Sequence, residues 1–167
     1  MAGENVVNYQ QQGGSTWQVG GTLNVPGTID MSGTIKIGGV ATNRLVKVAR
    51  VALAAVDTAG GVFAWQNPES TVILIDRLVL DVTTKTTGAC TVDIGTTATS
   101  ATTSSDTLID GLDINAATGT FDNITDKGTN GKSRQRLASG KWVTGSVASG
   151  ASAGLVGYAY IKYIVLS

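Results

Sequence analysis

The chain has no histidine among its 167 residues. That excludes Ser-His-Asp and Cys-His catalysis, imidazole metal sites and acid/base work at an imidazole. It has one cysteine, Cys90, so no disulfide can form within the chain. The alternating apolar run from Ala89 to Ile94 gives that thiol the place of a small buried group. Charge is scarce, at 14% of residues, and the 12 basic and 12 acidic side chains cancel. Such a balance favours neither nucleic acid nor an anionic membrane as a partner. Aromatic residues make up only 5% and prolines number two. No apolar run approaches the roughly 20 residues of a membrane-spanning helix. Met1 to Asn5 lacks the basic and apolar regions of a secretory signal. The expectation is a soluble product of the cytoplasm that needs no cofactor or metal.

What the chain has instead is glycine, 22 copies of it, within a composition that is 42% hydrophobic. Many short strands joined by small-residue turns suit that composition, so the expected class is all-β. So little charge on so apolar a chain also calls for an assembly that covers its surface.

The most regular stretch runs over residues 15–45, where Gly21, Gly27, Gly33 and Gly39 recur every six residues. The hexads between them read Gly, Thr, apolar, polar, apolar, small, and Ser15 to Gly20 is a degenerate copy with Trp17 and Val19 in the apolar slots. Alternation over three positions followed by a glycine turn is the pattern of a short strand in a β-helical spiral. Stacked repeats need about three units to bury a core, and four hexads make little more than one coil. Val19, Leu23, Val25, Ile29, Met31, Ile35 and Ile37 would then stay exposed on a monomer. Three chains wound about a common axis would bury them, which predicts an intertwined homotrimeric shaft. An ordinary β-meander packed on the rest of the chain is the alternative.

Residues 1–14 are polar, carry Gln10 to Gln12 and end in Gly13-Gly14. They read as an arm that orders on contact with a partner. Residues 46–167 carry the remaining strands and form the expected head. Val46 to Val56 could be helical by its alanines, but its β-branched valines and the turn at Thr58 to Gly61 favour a strand. Thr71 to Thr83 is the strongest strand and belongs in the middle of a two-layer core. Asp76 and Arg77 lie within it and would face opposite ways unless a bulge intervenes. Ala89 to Ile94 is expected to pair with it as a hairpin across Thr84 to Gly88. Gly95 to Ser105, nearly all small and hydroxylated, reads as a loop or a flat edge. The final apolar run, Gly154 to Leu166, is expected inside a sheet. About eight strands suit a β-sandwich, jelly-roll-like in its topology.

Asn8 to Leu23, with a tyrosine, a Gln-Gly-Gly turn, a tryptophan and a Gly-Gly that leads into glycine-rich repeats, resembles the start of head fibre or capsid decoration proteins of tailed bacteriophages. The resemblance covers about the first quarter of the chain. It implies a trimeric structural protein on the capsid exterior of a virion, its arm holding the major capsid protein and its C-terminal domain pointing outward. Tyr9, Gln10, Gln12 and Trp17 are the capsid-binding residues it implies. A carbohydrate-binding receptor-recognition tip of a tail fibre is the alternative, with a host-surface glycan as partner.

Other constellations carry less chemistry. Asp106, Asp110, Asp113 and Asn115 supply the oxygen ligands that calcium prefers, but match no EF-hand spacing and read as turn carboxylates. Asp122 and Asp126 could form the acid/base pair of a glycosidase, although the chain has few aromatics to line a sugar subsite. Lys127, Lys132, Arg134 and Arg136 are the one local basic concentration, read as a solvated face or an anion contact. Asn123 to Thr125 matches a glycosylation acceptor, which means nothing without secretion.

Overall fold

Among the described residues, the alternation of apolar and polar residues is realised as strands. The computed structural model of the chain describes residues 46–101 and 105–166 in full, and before them the backbone of four two-residue strands. The chain divides into two compact units, Met1–Ala41 and Thr42–Ser167. In the first, β1 (Tyr9–Gln10) pairs antiparallel with β2 (Trp17–Gln18), and β3 (Lys36–Ile37) with β4 (Val40–Ala41). The rest of the hexad repeat lies outside the described residues, including Val19, Leu23, Val25, Ile29, Met31 and Ile35 of the expected shaft core.

The second unit is a β-sandwich. Its strands are β5 (Val46–Ala52), β6 (Phe63–Gln66), β7 (Ile73–Thr84), β8 (Cys90–Thr97), β9 (Ile109–Asp113), β10 (Gly119–Asp122), β11 (Gln135–Leu137), β12 (Trp142–Gly150) and β13 (Val156–Val165). One antiparallel sheet has the order β10-β7-β13-β5, with β11 following β10 along the same edge of β7, and the other has the order β6-β12-β8-β9. The pairings are nested: β5 with β13, β6 with β12, β7 with β10 and β11, and β8 with β9. Each strand of the first half thus meets its counterpart counted from the end of the chain.

The inward faces of both sheets meet in one apolar cluster. Ile73, Ile75, Leu78, Leu80 and Val82 of β7 lie over Cys90, Val92 and Ile94 of β8, with Ile161 of β13 and Val143 of β12 beside them, all but excluded from water. Val46 to Ala52 is a strand, as its valines predict, and the final apolar run lies between two strands, as β13 flanked by β5 and β7.

One expectation fails. β8 does not form a hairpin with β7 but lies in the opposite sheet, between β12 and β9. Both edges of β7 are already taken, by β13 on one side and by β10 and β11 on the other, and the apolar face of β8 is buried better across the core than beside it. The connection from Lys85 to Ala89 is a corner between sheets, held by Thr86 Oγ1 donating to the Gly88 carbonyl at 2.7 Å. Gly95 to Thr97, expected in a loop, continue β8.

The centre of β7 carries a bulge at its charged pair. Arg77 stands opposite Lys162 and Ile75 opposite Tyr163, so Asp76 is one residue too many in the ladder. The extra residue changes the phase of the strand: Ile73 and Ile75 face the core before it, and Leu78, Leu80 and Val82 after it. A regular strand would have turned one of these sets outward.

On the far edge of β7 the partner changes at the same place. β10 pairs as far as Val79 and β11 resumes at Ile75, and fully buried Asn123 fills the gap. Its amide nitrogen donates to the Leu78 carbonyl at 3.2 Å. Its Oδ1 accepts from the Leu78 amide at 2.8 Å, and its Nδ2 donates to the carbonyls of Lys132 and Ser133. One asparagine therefore serves as a piece of strand.

Replacing Asn123 with alanine leaves the buried Leu78 amide without its acceptor and removes the donor to two partly buried carbonyls. At about 1–3 kcal/mol for an unsatisfied buried group, the expected loss is about 1–3 kcal/mol in denaturant unfolding. Asn123→Asp keeps the acceptor and loses both donors, and should also destabilise; wild-type stability in both variants would refute the bridging role.

Candidate functional site

The bulge sets two opposite charges side by side on the outer surface of the five-stranded sheet. The Asp76 carboxylate accepts from Lys162 Nζ at 2.9 Å and from Arg134 Nε at 3.1 Å. Arg77 turns the other way and binds the Asp122 carboxylate. The two neighbours never pair with each other. Together with Ile124 and Ser133, the residues Asp76, Arg77, Arg134 and Lys162 line an open cleft of about 430 Å³.

Asp122 is the most constrained of these groups. Its Oδ1 accepts from the amides of Ile124 and Thr125 and from the Thr125 hydroxyl, while Oδ2 takes Arg77. Burial, the largest single influence, pushes its pKa up. The Thr125 amide, the Arg77 guanidinium and the Ile124 amide together outweigh it and hold the pKa at about 2. Asp126 turns its Oδ2 toward the Asp122 amide at 2.8 Å. The pair thus forms a turn that caps itself, and at about 2 Asp122 is ionised near neutrality. Asp76 is likewise lowered, first by its hydrogen bond to Lys162, against the opposing effect of burial.

The remaining sequence candidates disperse. Asp106 and Asp110 accept from the side chain and the amide of Asn130, and Asp113 accepts from the amides of Asn115 and Ala116. Among the described residues no group of three potential ligands could hold a metal ion. Cys90 is buried, and burial pushes its thiol pKa up, with Asp57 and Asp113 adding to the effect. The basic concentration splits. Arg134 joins Asp76, whereas Arg136 lines a separate cleft of about 230 Å³ with Lys141, Thr96, Thr97, Ala98 and Leu137. Of the expected capsid-binding residues, Gln12 lies outside the described residues. Tyr9, Gln10 and Trp17 are described only as backbone in the pairing of β1 with β2.

No protein-family model matches the chain, and no curated protein matches it. A solved structure does. The chain is similar to one in "Capsid of Ralstonia phage GP4", at 19% identity with a TM-score of 0.50, over 83% of this chain and 92% of that one. What the two share is the fold.

Sequence reading singled out Asp76 and Arg77 but missed their partners Lys162 and Asp122 and the bridging role of Asn123. The available signal was the Asp-Arg pair itself, whose charges inside a long apolar strand need partners on neighbouring elements.

The folded pKa of Asp122 lies below its ordinary 3.8. Its contribution to stability is thus fully present above pH 4 and is lost as pH falls toward about 2. Asp122→Asn should cost about 1–2 kcal/mol at pH 7 and flatten the decline of melting temperature over that window. An unchanged acid limb would show that other carboxylates control it.

Proposed function

We propose that the chain is a structural, non-enzymatic protein of a phage virion: a trimeric decoration or head fibre protein on the outside of the capsid that helps to stabilise the shell. The observation that carries this is the fold likeness to a chain of a phage capsid over 92% of that chain's length. It agrees with the independent resemblance of Asn8 to Leu23 to the start of such proteins. The strand order, with β5-β13-β7-β10 facing β6-β12-β8-β9, supports reading the sandwich as a jelly roll of two Greek keys. Charges tied into ion pairs and capping turns, with no histidine in the chain, suit a load-carrying part better than a catalyst.

In this reading residues 1–14, with Tyr9, Gln10 and Gln12, and Trp17 just beyond them, dock on the major capsid protein. The hexads of residues 15–45 wind three chains together through Val19, Leu23, Val25, Ile29, Met31, Ile35 and Ile37, and residues 46–167 form the outward head.

Sedimentation equilibrium of the full chain should give three times the monomer mass of 17.0 kDa, and a stable monomer at micromolar concentration would refute the shaft. Deleting residues 1–14 should abolish binding to particles of the encoding phage stripped of this protein, while the circular dichroism of the head persists. Full binding by the truncated chain would remove the docking role from the arm.

A further inference from the structure

Asn130-Gly131 is the one Asn-Gly pair in the chain. Such a pair carries its own chemistry: the backbone nitrogen that follows an asparagine can attack the asparagine side chain, and glycine, with no Cβ, hinders that approach least. The described residues include four asparagines, Asn67, Asn115, Asn123 and Asn130. Three are closed to the reaction. Pro68, after Asn67, has no N–H to give. The amide of Ala116, after Asn115, donates to Asp113 Oδ1 at 3.1 Å, and that of Ile124, after Asn123, to Asp122 Oδ1 at 2.7 Å. Asn67 and Asn123 are also buried. Only Asn130 is exposed, and the Gly131 amide after it has no hydrogen-bond acceptor among the described residues.

We propose that Asn130 is a site of spontaneous deamidation in the folded protein, and that its product loosens the loop that carries it. The Gly131 nitrogen adds to Asn130 Cγ and gives up its proton. The Cγ–Nδ2 bond breaks, and the side-chain nitrogen leaves with that proton as ammonia. Water then opens the cyclic imide. Attack at Cγ leaves an aspartate, whereas attack at the main-chain carbonyl carbon leaves an isoaspartate, through whose Cβ and Cγ the backbone now runs. One water enters, one ammonia departs, and nothing is oxidised or reduced.

The loop matters because it covers an edge. β9 is the last strand of its sheet, and residues 127–132 lie along its outer side: the Asp110 amide donates to the Lys127 carbonyl at 3.0 Å and the Lys132 amide to the Thr107 carbonyl at 3.1 Å. Asn130 fastens the middle. Its amide nitrogen donates to Asp110 Oδ2 at 3.1 Å and its Nδ2 to Asp106 Oδ2 at 2.8 Å. Deamidation removes the Nδ2 donor and sets a new carboxylate against Asp106, where like charges repel. The isoaspartate form also lengthens the backbone beside Gly131. There is no room for that: even a Cβ on Gly131 would come within 2.1 Å of the Lys127 carbonyl oxygen and 2.5 Å of that of Leu108. The loop must then leave β9, whose bared edge is open to pairing with another chain.

The test incubates the full chain in mildly alkaline buffer, folded and in parallel unfolded in urea, and follows each asparagine by peptide mass spectrometry together with the ammonia released. In the folded chain, residue 130 should gain the mass of an amide-to-acid exchange before Asn67, Asn115 or Asn123 does, with aspartate and isoaspartate both among the products. Retention of Asn130 in the folded chain while it converts in urea would show that the fold blocks the attack and would overturn the proposal, as would earlier conversion of another of the four. The consequence is read separately. Asn130→Asp, which reproduces one product, should melt roughly 2–4 °C below Asn130→Ala, which loses the same donor without gaining a charge. Equal melting of the two variants would overturn the loosening by repulsion at Asp106.

Discussion

One extra residue in β7 sets how this sandwich is covered. Ile73 and Ile75 precede the bulge, and Leu78, Leu80 and Val82 follow it, and all five are at most 1% exposed. At about 1.5–3 kcal/mol for each fully buried aliphatic side chain, turning either set to water would cost more than the strain of a bulge. The chain accepts the bulge, and the bulge brings Asp76 and Arg77 to the surface together. The ion pairs with Lys162, Arg134 and Asp122 and the bridge of Asn123 follow from that single displacement. The charge cluster is thus a consequence of the core.

The same strand shows why the pairing is nested. β7 is flanked by β13 on one edge and by β10 and then β11 on the other, so its nearest neighbour in sequence, β8, must cross to the second sheet. The β8–β9 pair closes within about 25 residues, whereas β5 and β13 close across more than 100. Loop-closure entropy rises with that separation, and folding that begins at β8–β9 and ends at β5–β13 follows the least costly order. The last pairing sets the head's entry at Val46 beside its final strand.

Much of this was legible without coordinates. β-Branched residues outweighed alanine in β5, the apolar run of β13 required two neighbours, and Cys90 read as a buried small residue. The pairing of β8 was not legible, because a five-residue connection suits a hairpin and a corner equally well and only the occupied edges of β7 exclude the hairpin. Among the site residues, Arg134 and Arg136 lie two apart in sequence. They nonetheless part company, because Arg134 meets Asp76 at the bulge and Arg136 lines a separate cleft.

Composition and periodicity alone determined the class of this protein. With little charge and alternating valines and isoleucines, the chain reads as all-β and held by packing. Those are local properties, set by side-chain chemistry and by the two-residue period of a strand. Which strands share a sheet and which carboxylates are tied up depend on contacts across more than 100 residues. Only the closed sandwich decides them, because an edge already paired cannot be paired again.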